Sequence, residues 1–344
     1  MSNARRLVLV VAAGVTGVVL GTLPAWLARA QRETELTLVA YAVAKPVFAK
    51  LIPEFQREWQ ARTGQRVTFK ESYGPSGAQT RAILGGLQAD ILAQNLQSNI
   101  DPLVERGLVR PDWQKRLPNQ AVPATSVMVL VTRPGNPKNI RTWSDLARPD
   151  VEVLLINPKT SGNARWGILA AFGAVQKSLG EAKAREYLNR LMANTKVLAN
   201  SGRDATDKFV KNRLGDVMIN FENEVLFLNE AIPSDFPYIA PSPNLQVDFP
   251  VTVIDRVVDR RGTRAVAEAF TRFLFSRRGQ EIYAETGYRP VDPLVRQRFA
   301  QRFQNVKRIY KIGDFGGWGK VNALLFADGA LFDQALRAAA RLSP

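Results

Sequence analysis

Short apolar runs alternate with stretches of helical periodicity along the 344-residue chain, and this alternation constrains the fold more than any other feature. Residues 36–41, 66–69 and 91–93 are typical of buried strands, and helical patterns at 46–62 and 78–87 separate them. Such a succession favours a mostly parallel sheet that helices cover on both faces. The sequence therefore predicts an α/β fold.

A second α/β set stands between two further strand-like runs, 125–132 and 251–254. It comprises predicted strands at 151–156, 197–198 and 216–221 and predicted helices at 165–179, 182–191 and 205–212. We expect the two flanking runs to cross between two lobes. Helical patterns at 263–287 and 320–342 are expected to return to the first lobe.

The simplest arrangement is a second lobe, residues 125–253, inserted into a first lobe formed by residues 36–124 and 254–344. Each lobe is then expected to hold a mixed, mostly parallel sheet flanked by helices. Clefts between lobes are preferred ligand sites and permit hinge closure.

The N-terminus carries the features of an export signal. Arg5 and Arg6 form a basic start, residues 7–27 are apolar and uncharged, and Ala28-Arg29-Ala30 is a small-x-small cleavage pattern. We interpret residues 1–30 as a signal peptide and expect the mature protein in the periplasm. An uncleaved anchor is the alternative, because an apolar stretch of about 20 residues is long enough to span a bilayer.

The chain contains neither cysteine nor histidine, and its formal net charge is +16. The first fact excludes disulfides, thiolate chemistry, histidine bases and most zinc-type sites, so we expect no metal, no cofactor and no enzyme activity. The basic residues are dispersed rather than gathered in a stripe, which argues against a nucleic acid partner. Adhesion to an anionic membrane surface and plain solubility are alternative interpretations of the charge.

The dipeptide Ser-Gly occurs three times: Ser76-Gly77, Ser161-Gly162 and Ser201-Gly202. Each follows a predicted strand and precedes a predicted helix. A single one is most simply an ordinary helix cap. Three helix starts together, each with unsatisfied N–H donors and a positive dipole end, indicate an anion site in the cleft.

Six separated motifs resemble, in order, the periplasmic sulfate-binding proteins of ABC importers. They are "SYGPSGAQ" at 72–79, "NPKTSGNARW" at 157–166, "GDV" with "FENE" within 215–224, "GTRAVAEAF" at 262–270, "GYRP" at 287–290 and "FGGW" at 315–318. The resemblance implies a two-lobed periplasmic-binding-protein type II fold. It also implies that neutral donors hold sulfate between the lobes and that the partner is a membrane ABC permease; we expect a monomer.

The family's ligand-binding positions fall on Ser76 in the first lobe, on Ser161, Gly162 and Asn163 at the second turn, and on Gly202 at the third. Gly77 belongs to the first Ser-Gly turn and is added to this set. Asn163 stands where the family has glycine.

Two further departures affect the expected donors: Phe221 replaces a tryptophan, and Ala42 replaces an aspartate. Asn220 or Arg203 is expected to supply the missing indole donor. Glu222 and Glu224 are interpreted as structural, because carboxylates repel sulfate.

Two other functions stay open at this point. Related thiosulfate binders share most of the motifs, so thiosulfate or another tetrahedral oxyanion is an alternative ligand. An exported hydrolase of sulfate or phosphate esters would need a nucleophile with a base or a metal cluster, and the sequence offers no such constellation.

Overall fold

The computed structural model describes residues 33–231 and 236–342. The predicted signal peptide, residues 1–30, lies outside the described residues. Within them, none of the helices combines the length and the apolar character that a membrane crossing requires.

The first sheet has four strands in the order β10-β3-β1-β2. Strand β1 (Thr34–Tyr41) pairs in parallel with β2 (Val67–Gly74) and β3 (Ile91–Ala93), and β10 (Val251–Val253) joins β3 antiparallel. Three helices connect or follow its strands: α1 (Lys45–Thr63), α2 (Ser76–Leu84) and α3 (Asp101–Glu105).

The second sheet has eight strands, with β12-β9-β4-β7-β5-β6 as its main path. Its members are β4 (Ala124–Thr132), β5 (Val153–Ile156), β6 (Thr195–Ala199), β7 (Val217–Phe221), β8 (Tyr238–Ile239), β9 (Asn244–Phe249), β11 (Arg289–Pro290) and β12 (Ile309–Tyr310). Strand β5 is parallel to β6 and β7, whereas β4 is antiparallel to β7 and β9. Because β4 is central and buried at all but one position, it needs the apolar run that the sequence shows at 127–131.

Ten longer or later helices of the described residues cover these sheets. They are α4 (Gly162–Leu179), α5 (Glu181–Ala193), α6 (Gly202–Val210), α7 (Glu222–Ala231), α8 (Asp255–Arg261), α9 (Arg264–Phe273), α10 (Arg277–Glu285), α11 (Pro293–Arg298), α12 (Gly317–Val321) and α13 (Leu331–Leu342). The predicted fold class, a mixed α/β protein with two helix-flanked sheets, is confirmed, with parallel pairing among β1, β2 and β3 and among β5, β6 and β7.

Strand β9 is an element that the sequence analysis missed. Leu245, Val247 and Phe249 are buried and alternate with more exposed polar residues, which is the period-2 pattern of a strand. Pro250 separates β9 in the second sheet from β10 in the first. One continuous stretch of chain, residues 244–253, therefore runs from the second sheet into the first.

The C-terminal segment packs on the second sheet's helices, although its helices were expected to return to the first lobe. Helix α13 lies against α5, and the Trp318 ring meets the Trp166 ring edge-on at 4.6 Å between centroids. The Lys159 Nζ donates to the Phe326 carbonyl at 2.9 Å and pairs with Asp333 at 3.1 Å. These contacts account for "FGGW" as part of a docking turn.

Gly279, near the start of α10, has no room for a side chain. A Cβ at this position would overlap the carbonyl oxygen of Phe273, a backbone atom that cannot rotate away. We expect Gly279→Ala to lower the free energy of unfolding by about 1–3 kcal/mol. Gly319→Ala, where a Cβ meets nothing within 4 Å, is the matched control and should be neutral or slightly stabilising in urea denaturation. Equal stability of the two variants would contradict the packing argument.

Candidate functional site

Three helices begin where strands end, each at one of the Ser-Gly turns. Helix α2 begins at Ser76 after β2, α4 at Gly162 after β5, and α6 at Gly202 after β6. Ser161 and Ser201 are the N-cap residues of α4 and α6 in extended conformation, and the Ser201 hydroxyl accepts from the Asp204 N–H at 3.1 Å. The first N–H groups of each helix have no intrahelical acceptor, so these starts carry partial positive charge.

The start of α2, which follows a strand of the first sheet, contacts the start of α4, which follows a strand of the second. The Gly162 N–H donates to the Ser76 Oγ at 2.8 Å, and both residues are buried. A Cβ on Gly162 would lie 2.5 Å from the Asn95 Oδ1 and 2.9 Å from the Leu96 Cβ. A Cβ on Gly77 would lie 3.2 Å from the Thr160 carbonyl oxygen. The close approach of the two helix starts therefore depends on glycine at position 162.

The start of α6 lies next to the start of α4. A Cβ on Gly202 would be 2.7 Å from the Asn163 Nδ2 of α4 and 3.0 Å from the Val43 Cγ1, just after β1. The structure thus brings together Ser76, Gly162, Asn163 and Gly202, with Gly77 and Ser161 beside them. Val43 and Asn95 border the same space and were missed, because neither stands in a Ser-Gly turn.

Buried side-chain amides and a hydroxyl form a hydrogen-bond network between α4, β7 and α6. The Asn163 Nδ2 donates to the Asn220 Oδ1 at 2.7 Å. The Asn220 Nδ2 donates to the Gly202 carbonyl and to the Thr206 Oγ1, each at 3.2 Å. Both hydrogens of the Asn220 amide are therefore used within the second sheet's helices and strands.

Arg203 faces a carboxylate rather than the space between the helix starts. Its Nη2 donates to the Glu224 Oε2 at 3.2 Å, and the Thr206 hydroxyl donates to the other oxygen at 2.9 Å. Glu224 is 1% exposed. Burial raises the pKa of Glu224 to about 7, although Arg203 and Thr206 act to lower it.

Phe221, at the position of the missing indole donor, is fully buried in an aromatic cluster. Its ring meets the Phe249 ring edge-on at 5.3 Å, and Phe249 stacks on Tyr41 at 5.2 Å. Next to it, Glu222 accepts from the Arg289 Nε at 2.6 Å. Glu222 and Glu224 are thus each paired with an arginine, as the structural interpretation expected.

A cavity of about 250 Å3 opens between the starts of α2 and α4. Its lining includes Gly77, Ser161 and Gly162 together with Arg81, Lys159 and Arg165. The lining holds these three cations and no carboxylate, which favours anions, although Lys159 is already paired with Asp333.

Arg165 and Trp166 have structural contacts. The Arg165 Nε donates to the Pro158 carbonyl at 3.0 Å, and the Trp166 Nε1 donates to the Asn95 carbonyl at 2.5 Å. Among residues 33–231 and 236–342, no group of three acidic side chains is placed to hold a metal ion.

A family model described as bacterial extracellular solute-binding protein matches residues 36–289.

This chain belongs to that family.

The solute-binding protein is 42% identical over 308 residues to the sulfate-binding protein of Synechocystis sp., covering 89% of this chain and 87% of the relative. It is 40% identical over 299 residues to the thiosulfate-binding protein of Pseudomonas aeruginosa, covering 86% and 90%. The structure of the sulfate-binding protein SubI from Mycobacterium tuberculosis superposes with a TM-score of 0.78 at 35% identity, covering 85% of this chain and 99% of that one. The resemblance seen in the six motifs is thereby confirmed.

The raised pKa of Glu224 has a consequence for the stability of the solute-binding protein. A carboxyl group that holds its proton more tightly when folded contributes stability below its unfolded pKa, and this contribution is lost as the pH rises toward 7. Relative to Glu224→Gln, the wild-type free energy of unfolding should rise by about 2 kcal/mol between pH 7 and pH 5. Urea denaturation of both proteins at each pH measures this difference. A difference that does not change with pH would contradict the assignment.

Proposed function

We propose that this protein captures sulfate in the space enclosed by the starts of α2, α4 and α6 and delivers it to a membrane ABC permease. The observation that carries the proposal is the 2.8 Å contact between the Gly162 N–H and the Ser76 Oγ, which unites donors from both sheets. Relatives named sulfate-binding proteins at 37–42% identity support the choice of anion.

The expected donors are neutral. They are the Ser76 and Ser161 hydroxyls and the backbone N–H groups of Gly77, Gly162, Asn163 and Gly202. A fully ionised sulfate has only acceptors, so it needs donors alone. Hydrogen bonds to a charged group contribute about 1.5–3 kcal/mol each, so about six contribute on the order of 10–18 kcal/mol before the costs of association. Micromolar or tighter binding is therefore energetically feasible, and a buried counter-cation is not required.

Asn220 and Arg203 belong to the proposal as positioning residues. The sequence offered either as a replacement for the missing indole donor. The Asn220 amide hydrogens are directed to Gly202 and Thr206, and the Arg203 guanidinium pairs with Glu224. We infer that they hold the start of α6 in place.

We also propose that the two sheets, each with the helices that cover it, act as two lobes that close on the ligand, with the C-terminal segment belonging to the lobe of the second sheet. Closure by rotation about the crossing strands would bring Ser76 to Gly162. The family is extracellular, and we infer a periplasmic location after export and a monomeric protein.

Thiosulfate is the second candidate ligand, favoured by the relative named a thiosulfate-binding protein at 40% identity. An ester hydrolase is less well supported. The Ser76 Oγ accepts from an N–H group, and a nucleophile would need a general base at that distance instead.

Isothermal titration with sulfate and thiosulfate tests the proposal. Ser76→Ala removes a hydroxyl donor and should weaken sulfate binding by about tenfold or more. Gly162→Ala places a Cβ against Asn95 and Leu96, so it should weaken binding at least as much by preventing closure. The control is Ser178→Ala, because the Ser178 hydroxyl bonds only to carbonyls of its own helix. Unchanged affinity in both site variants would refute the proposed site.

A further inference from the structure

Exposed arginines surround an apolar cavity on the first-sheet side of the molecule. The cavity has a volume of about 360 Å3 and lies between the end of α2, the segment after α3 and the start of α8. Its lining includes the buried side chains of Ile83, Ile254 and Val257 and the Leu87 side chain, which is 37% exposed. Three exposed arginines, which we call the basic rim, complete the lining: Arg106, Arg256 and Arg260.

The guanidinium groups of the basic rim are unpaired. Among residues 33–231 and 236–342, none of them donates a hydrogen bond or takes part in an ion pair, and no carboxylate lines the cavity. The two carboxylates of α8 have other partners, since Asp255 accepts from Arg116 at 2.8 Å and Asp259 accepts from Arg264 at 2.5 Å. Glu105 precedes one rim arginine in the sequence but forms no ion pair with it. The positive charge of the rim is therefore left without a partner in the described part of the chain.

Two of these charges lie on one face of a helix. Arg256 and Arg260 are four residues apart on α8, so their side chains are neighbours on its surface, where like charges repel. The apolar side chains beside them lower the local dielectric and strengthen this repulsion. An anion bound at the rim would remove the repulsion, and apolar atoms attached to that anion would fill the cavity. The site therefore suits an amphipathic anion better than a small inorganic one.

The basic rim lies near the edge of the first sheet at which β1 begins. Arg261, the residue after Arg260, donates to the Glu35 carbonyl at 3.0 Å near the start of this strand. Only six residues, 28–33, separate β1 from the apolar run at 7–27. Six fully extended residues span at most about 20 Å. While the apolar run is held in a bilayer before cleavage, the rim is therefore kept close to the membrane surface.

The proposed sulfate site lies at the other end of α2. This helix begins at Ser76, beside the cleft, and ends at Leu84, which lines the cavity. Its nine residues extend over about 13 Å. A permease that takes up the anion at the cleft is therefore not the expected partner of the basic rim, whereas a lipid surface is.

We propose that the basic rim binds the headgroup of an anionic phospholipid and holds the protein reversibly against the membrane surface. The arginines donate to the phosphate oxygens, and the apolar cavity with Leu87 receives the glycerol and the first methylenes of the lipid. A lysine or arginine near an anionic lipid surface increases affinity by about fivefold, so three increase it by about 100-fold. The inference uses none of the sulfate donors and is independent of the proposed function.

Co-sedimentation with lipid vesicles tests the inference. The protein is the processed chain, residues 31–344, because the apolar run of the predicted signal peptide would bind vesicles by itself. Wild type should bind vesicles of phosphatidylglycerol mixed with phosphatidylcholine, bind less at higher salt, and not bind phosphatidylcholine alone. The triple variant Arg106→Gln, Arg256→Gln, Arg260→Gln should bind the mixed vesicles about 100-fold more weakly.

A matched control removes the same charge from the other side of the molecule. Arg190, Lys196 and Arg213 are exposed, form no ion pair among the described residues and belong to elements of the second sheet or lie next to them. Their triple glutamine variant has the same net charge as the rim variant. It should bind the mixed vesicles within about fivefold of wild type, because these charges lie beyond the screening length from the bound lipid.

Three results would overturn the inference. The first is an equal loss of binding in the two triple variants, which would mean that only total charge matters. The second is wild-type binding that is absent or independent of lipid charge. The third is binding only to membranes that contain the permease, which would make an acidic surface of the permease the partner. Calorimetric titration with sulfate should give the wild-type affinity in the rim variant, so failure of the proposed function is detected separately.

Discussion

The contact between the Gly162 N–H and the Ser76 hydroxyl determines how the two sheets meet. It requires a glycine, because a Cβ would collide with Asn95 and Leu96, and it places two helix starts within one hydrogen bond of each other. The third start is linked to the second through Asn220, which accepts from the Asn163 amide and donates to the Gly202 carbonyl. Positive helix ends do not attract one another, so this convergence has to be imposed by the rest of the fold. An anion is the natural complement to it.

The two buried carboxylates near the helix starts, Glu222 and Glu224, are paired with donors of their own. Glu224 is bound to Arg203 and Thr206, and Glu222 to Arg289, so each buried carboxylate has its own partners. Burial still outweighs these partners at Glu224 and raises its pKa. Protonation near neutral pH would remove a negative charge from the vicinity of the helix starts.

The fold and the residues around the Ser-Gly turns could be predicted from the sequence because both rest on local patterns. Strand and helix periodicity indicated the α/β class, and serine followed by glycine marked the helix starts. Asn95 and Val43 could not be found this way, since they reach the site only through tertiary packing. The hydrogen bonds of Asn220 and Arg203 could not be predicted either. Asn220 on β7 donates to Thr206 on α6, and Arg203 on α6 donates to Glu224 on α7, so both contacts depend on how these elements pack. The docking of α13 on α5 likewise has no signal in its own amphipathic pattern.

Pro250, where the chain passes from the second sheet to the first, can accept a backbone hydrogen bond but cannot donate one. Its carbonyl accepts from the Gln94 N–H at 2.8 Å and so ties the crossing to the first sheet. Proline has no N–H to offer in return, and its ring fixes φ. The crossing is therefore anchored on the first-sheet side at Pro250 and on the second-sheet side at Phe249, which pairs with Ala124 of β4, and proline also restricts the residue before it. These two residues form a stiff joint between the sheets, and the Tyr41 ring from the end of β1 reinforces it by stacking on the Phe249 ring.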